Sequence, residues 1–307
     1  MLILVLTCGT AGQSQLIQEV TPQEVINRAR ERTAVYLETF KNLLSEEKKT
    51  FEIYEKNGKI KKRKTVESTF LVYQLTKDAG GVAEFRNVIS VDGKKVPNAN
   101  DRAKDFFEKV VASDNSQKEY ARIREESTRF DEDFAINGLT LFQAIALSPE
   151  LRGRFRFTMA GRESIGGKNV YVVIFEQIRA DPAITVNSTS GSNNYDIEIE
   201  GEPGIQLDPR IRGKLWIDSE TFNIRRELRE RTIQPVGFPQ PVVVAEDLLE
   251  YTDSAFGILT PQTLSHLQYR VRLKDRVVTK DTHIAFEYGK FTQPNVEVKG
   301  EVKDKPE

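Results

Sequence analysis

The sequence is poor in the residues that most often carry chemistry: among 307 residues there are one cysteine, two histidines and one tryptophan. A lone cysteine excludes an internal disulfide. A histidine-based relay would need His266 or His283 beside a serine in space, and no nucleophile-elbow motif accompanies either. By strand alternation both are expected on the face opposite the bulky apolar residues, as surface or ordinary structural side chains. There is no Gly-rich phosphate loop, zinc-ligand spacing or EF-hand loop. No cofactor is therefore expected, and the chain is predicted not to be an enzyme. No apolar run approaches the roughly 20 residues of a membrane helix. The net charge of −1 gives no general attraction to nucleic acid, and no nucleic-acid partner is expected.

What is present begins at the first residues. Residues 1–6 are apolar, and Thr7-Cys8-Gly9-Thr10-Ala11-Gly12 are small, the pattern that ends a secretory signal. Residues 1–20 are expected to be the remnant of a signal peptide or a lipobox leader. Val5-Leu6-Thr7-Cys8 looks like a bacterial lipobox, so Cys8 is a candidate lipidation site; removal with the leader is the alternative. Both routes place the protein in a bacterial periplasm or at the outer membrane. Residues 21–299 are expected to form one domain, followed by a charged tail at 300–307.

Thr21-Pro22-Gln23-Glu24 is a capping box with proline in the first turn. It opens an amphipathic helix of about six turns whose apolar stripe runs from Val25 to Leu44. Strands are predicted at 51–56 and 59–75 around Asn57-Gly58, and at 85–91 before Asp92-Gly93. Further strands lie at 155–159, at 170–175 after Gly166-Gly167, and at 214–218, 224–233, 242–251, 264–273 and 282–288. Residues 170–175 are apolar on both faces, which predicts a covered, central strand. Helices are expected at 103–111, at 120–130 as an exposed charged helix, and at 139–146. A long polar loop spans 179–213.

Two charged clusters stand out. Asp131-Glu132-Asp133 is expected to be a solvated acidic turn rather than a pair of catalytic carboxylates. Lys59, Lys61, Lys62, Arg63 and Lys64 form a basic hairpin tip, a surface for an envelope partner or an anionic membrane. A plain solvated tip is the simpler reading.

The element order and the stretch Gly213-Lys214-Leu215-Trp216-Ile217-Asp218-Ser219-Glu220-Thr221-Phe222-Asn223-Ile224-Arg225-Arg226 resemble the outer-membrane lipoprotein-sorting (LolA-like) superfamily. In that family a Trp-Ile-Asp strand end turns into an arginine-bearing strand. The resemblance implies a mainly β (α+β) fold: an antiparallel, unclosed half-barrel whose concave face is covered by the N-terminal and inserted helices. It also implies a non-enzymatic protein that holds a lipid or lipoprotein acyl chain in an apolar cavity. Candidate lining residues are Phe155, Phe157, Met159, Val170, Val172, Ile174 and Trp216. The alternative is an envelope structural or interaction module with a filled core and no small-molecule ligand.

Overall fold

The computed structural model describes residues 20–78, 80–131, 139–141, 143–151, 153–179, 199–200, 209–235, 238–272 and 276–293. The chain opens with helix α1 (Pro22–Phe40), followed by β1 (Leu44–Tyr54), β2 (Ile60–Gln74), β3 (Val82–Val91) and β4 (Lys94–Lys95). Helices α2 (Ala99–Val111) and α3 (Ser116–Ser127) come next, then short 3-10 turns at Ile145–Leu147 and Pro149–Leu151. The remaining strands are β5 (Phe155–Ile165), β6 (Lys168–Gln177), β7 (Ile199–Glu200), β8 (Arg210–Asp218), β9 (Ile224–Ile233), β10 (Val242–Asp253), β11 (Leu259–Arg272) and β12 (Val277–Tyr288).

The strands form one sheet in the order β4-β3-β2-β1-β12-β11-β10-β9-β8-β6-β5, with β7 beside the end of β11. Every pairing along the main path is antiparallel, and neighbours in space are mostly neighbours in sequence. The edges β4/β3 and β5 do not meet, so the sheet is an unclosed half-barrel. The turn residues have the backbone that the hairpins demand: Asp92 and Gly93, and Gly166 and Gly167, all have positive φ.

One face of this sheet, called inner here, carries the main core. Val25, Ile26, Ala29, Tyr36 and Phe40 of α1 are buried on it, with Thr21 accepting the Glu24 N–H as the N-cap. The helix ends at Phe40, earlier than its apolar stripe; Leu43 is buried beyond it and Leu44 already starts β1. Residues 139–147 complete the inner cover through Leu139, Leu141, Ala144, Ala146 and Leu147. Helices α2 and α3 lie on the outer face, where Val110 and Ile123 pack on Ala83 and Phe85. The cover is thus shared between the two faces. Helix α3 is also not exposed all round: Glu119, Ile123 and Ser127 are buried.

Strand β1 starts seven residues before its sequence-based expectation because its inward positions are polar. Ser45, Glu47 and Lys49 alternate as buried residues ahead of Phe51, and no hydropathy pattern marks them. Strand β8 likewise takes residues 210–213 from the expected loop. Its Gly213 has no room for a side chain, since a Cβ would stand 1.9 Å from the Leu228 carbonyl oxygen. Gly213→Ala is expected to lower stability by roughly 2–4 kcal/mol, read as a lower urea midpoint at unchanged m-value.

Candidate functional site

The start of α1 leaves two openings against edge strand β5. One, of about 730 Å³, is lined by Thr21, Pro22, Ile26, Arg30, Phe155 and Phe157. The other, of about 600 Å³, is lined by Val20, Pro22, Met159, Gly161, Arg162 and Tyr171. Guanidinium groups stand over their aromatic walls: Arg30 lies 5.6 Å from the Phe157 ring centre and Arg162 lies 5.1 Å from that of Tyr171. Gln23 and Asn27 also border the first opening, so the walls are mixed, and aromatic rings beside two cations suit an amphiphile with an anionic head.

The seven candidate lining residues do not all meet here. Phe155, Phe157 and Met159 face inward with Val173 and Phe175. Val170 and Val172 face outward with Trp216, in a separate cluster flanked by Ile165 and Leu228. Ile174, two residues along from Val172, shares that outward side. A regular hairpin through Gly166-Gly167 would set Met159 opposite Ile174, with all these residues on one face. A bulge between Met159 and Gly161 inserts one residue, so Met159 pairs with Val173 instead. Trp216 follows Val172, its cross-strand partner; its Nε1–H donates to Glu163 (2.8 Å) and Arg226 stacks over its ring.

Within this core the inner face also carries a set of buried charged side chains. Arg86 is fully buried and donates to Glu47 (2.7 and 3.0 Å) and Glu84 (2.9 Å). Desolvation opposes its charge, but the two carboxylates outweigh it and hold its pKa well above the ordinary value. Glu84 also accepts from the backbone N–H and hydroxyl of Thr140 (3.0 and 2.5 Å). Glu227 accepts from the Ala144 N–H (2.8 Å) and from Arg229. Tyr36 donates its hydroxyl to the Thr140 carbonyl (2.8 Å), joining α1 to the same segment.

On this face one expectation is narrowed, His266 being a structural and not a surface side chain, and one is corrected. His266 is not at the surface: it is fully buried between Leu264 and Gln268, with Nδ1 2.6 Å from Asp247. The face opposite the bulky residues is here the covered one, and it carries His266 and Gln268 beside Leu264. Asp131 is not solvated either, for it forms a buried ion pair with Lys49. Glu132 and Asp133 lie outside the described residues.

His283, in contrast, is on the outer face and does find a serine. Its Nε2 is 3.0 Å from Ser265 Oγ and its Nδ1 is 3.3 Å from Glu52. Burial acts to raise the Glu52 pKa, but hydrogen bonds from Tyr54, Arg63 and His283 prevail and lower it. Burial and Glu52 together push the Tyr54 hydroxyl up to about 12. Acyl transfer also needs paired donors for an oxyanion. Strands β1, β12 and β11 each have neighbours on both sides, so their amides are engaged in the ladders. The trio is a cross-strand hydrogen-bonded ladder.

Lys59, Lys61, Lys62 and Arg63 are exposed at the β1–β2 hairpin, with Lys64 partly so, and Arg63 is paired to Glu52. Cys8 and the 300–307 tail lie outside the described residues, as does most of 179–213.

In the stretch 213–226 the turn is held by Asp218. It accepts from the Glu220 and Thr221 amides (3.0 and 2.9 Å) and from Arg225 (2.6 Å). Burial opposes ionisation, yet these donors keep its pKa below the usual carboxylate value. A lowered native pKa contributes stability above the unfolded value of about 4, and that stability is lost as pH falls through the native value. Asp218→Asn should therefore be less stable at neutral pH and show a shallower loss of stability below about pH 4, measured by urea titrations across pH. Arg86→Met would strand two buried carboxylates and should cost roughly 3–5 kcal/mol in the same assay at neutral pH.

No family model matches the sequence, and no curated protein matches it significantly. Several solved structures are similar in fold, the following three among them. An outer membrane lipoprotein-sorting protein domain from Vibrio parahaemolyticus is 9% identical, with a TM-score of 0.40, covering 88% of this chain and 92% of its own. A DUF1329 family protein from Desulfovibrio piger is 10% identical, with a TM-score of 0.38 and coverage of 90% and 94%. A LolA superfamily protein from Nitrosomonas europaea is 11% identical, with a TM-score of 0.29 and coverage of 90% and 95%.

Proposed function

We propose that the protein is an exported, non-enzymatic binding protein of the bacterial envelope that holds one acyl chain of a lipid or lipoprotein. The observation that carries this reading is the pair of openings where Phe155, Phe157 and Met159 meet the start of α1. Their volumes fall within the roughly 300–1,000 Å³ usual for small-molecule sites. Burial of the chain at about 25 cal/mol per Å² supplies the affinity, and Arg30 and Arg162 receive its anionic head. Binding is placed there, not along the whole inner face, because the face below Glu84, Arg86 and Glu227 is charged and covered. The resemblance in residues 213–226 supports the same class of ligand.

The rival is an envelope interaction module, favoured by the filled space beneath the rest of α1, where Tyr36 and Phe40 stack (4.9 Å) and Phe291 lies against Phe40 (5.4 Å). In that reading the exposed basic hairpin meets an acidic partner or an anionic membrane. Native mass spectrometry of periplasmically produced protein, with lipid extraction of the same sample, separates the two. Bound lipid or acylated peptide at stoichiometric level is expected. A clean apo mass without uptake of fluorescent fatty acid would leave only the interaction module. Phe157 is partly exposed, so Phe157→Asp should keep the native circular dichroism while weakening fatty-acid binding by about tenfold or more. Unchanged binding in that variant would place the ligand elsewhere.

A further inference from the structure

The two edges of the sheet are treated differently. Along β3 several outward backbone groups are satisfied by the chain itself. Ser127 Oγ accepts from the Arg86 N–H and donates to the Glu84 carbonyl (3.2 Å each). Arg102 donates to the Val88 carbonyl (3.1 Å), and the Val96 N–H donates to that of Ile89 (2.9 Å). Strand β5 is eleven residues long and paired only on its β6 side. Alternate residues of such a strand turn N–H and C=O groups outward. Among the described residues nothing bonds to that outer edge of β5. No proline interrupts it.

Edges are usually protected by bulges and by charges that repel a second strand. The bulge and charges of β5 have another consequence. Arg156 pairs with Glu176 and Glu163 with Val170, and these two β6 residues are an even number apart. The bulge between Met159 and Gly161 therefore brings Arg156 and Glu163, seven residues apart, to the same outer face. Both are exposed. Arg156 has no ion-pair partner among the described residues. Glu163 accepts from Trp216 through Oε2, and a carboxylate has lone pairs for a second donor. When two such strands run antiparallel about a two-fold axis normal to the sheet, one register sets Arg156 of each copy opposite Glu163 of the other. Met159 and Ala160 then lie at the axis, and Phe157 faces Arg162 on the inner side.

We propose that β5 is a docking edge for a second copy of this chain, pairing antiparallel in the register that matches Arg156 with Glu163. Main-chain hydrogen bonds supply the attraction, and the charge pairs, weak by themselves, select the register against its neighbours. Both openings beside α1 lie along the inner side of β5, so the second strand stands at their outer margin. The proposal does not depend on what those openings bind.

Sedimentation equilibrium of the full chain tests it, over low-micromolar to submillimolar concentrations. A monomer–dimer equilibrium is expected, with β5 amides gaining protection from hydrogen exchange as dimer forms. Arg156→Glu and Glu163→Arg should each weaken association by about tenfold, and the double reversal should restore it. A monomer throughout would overturn the proposal, and so would a dimer indifferent to either reversal or not rescued by the double variant. Fatty-acid binding measured on the same variants separates this outcome from the function proposed above.

Discussion

A guanidinium with no access to water must be paired, and Arg86 shows how much structure that need can organise. Its carboxylate partners come from its own strand β3 and from β1, the strand beyond β2. Three strands are thereby held in one register beneath a common charge. Glu84 reaches on to Thr140, and Tyr36 of α1 meets the same residue's carbonyl. The ion cluster and the cover over the inner face thus fix one another. Glu227 repeats the device at β9, where it receives the Ala144 amide.

This arrangement bears on what the half-barrel can hold. An open sheet covered by one helix offers an apolar hollow only where its side chains are apolar and its cover stands off. Under Glu84, Arg86, Glu227, Asp247 and His266 the inner face is polar and packed. At the start of α1 the sheet has thinned to its edge strand, the cover begins, and space remains beside aromatic residues. The openings and the outer edge of β5, to which nothing bonds among the described residues, are two properties of one place in the fold. At the opposite edge α2 and α3 pack against β3 and bond to part of its backbone, and the opening there lies between the two helices instead of against the strand.

Local signals gave the elements that depend on local chemistry. The Thr21-Pro22 cap, the turns at Asp92-Gly93 and Gly166-Gly167, and helices α2 and α3 are legible because capping and positive φ are properties of a few adjacent residues. The third helix expected at 139–146 is instead, in its described residues, turns ending in the 3-10 turn Ile145–Leu147. The candidate site was legible in part. Phe155, Phe157 and Met159 announce a strand with one apolar side, and they do line the openings. Val170, Val172, Ile174 and Trp216 belong to the other side, because one bulged residue shifted the register. Ser45, Glu47, Lys49, Asp131 and His266 were unreadable as buried groups, since each is paid for by a partner distant in sequence.

By itself, then, the sequence determined an antiparallel fold opened by a helix, its hairpins and the family it resembles. Those follow from patterns within about twenty residues of one another in sequence. Tertiary structure alone decided which face of each strand is covered, which charges lie beneath the cover, and which edge the inserted helices bond to. Alternation gives a strand two faces but does not say which of them water will leave. That choice depends on cross-strand register, where a single extra residue at Ala160 exchanges one face for the other.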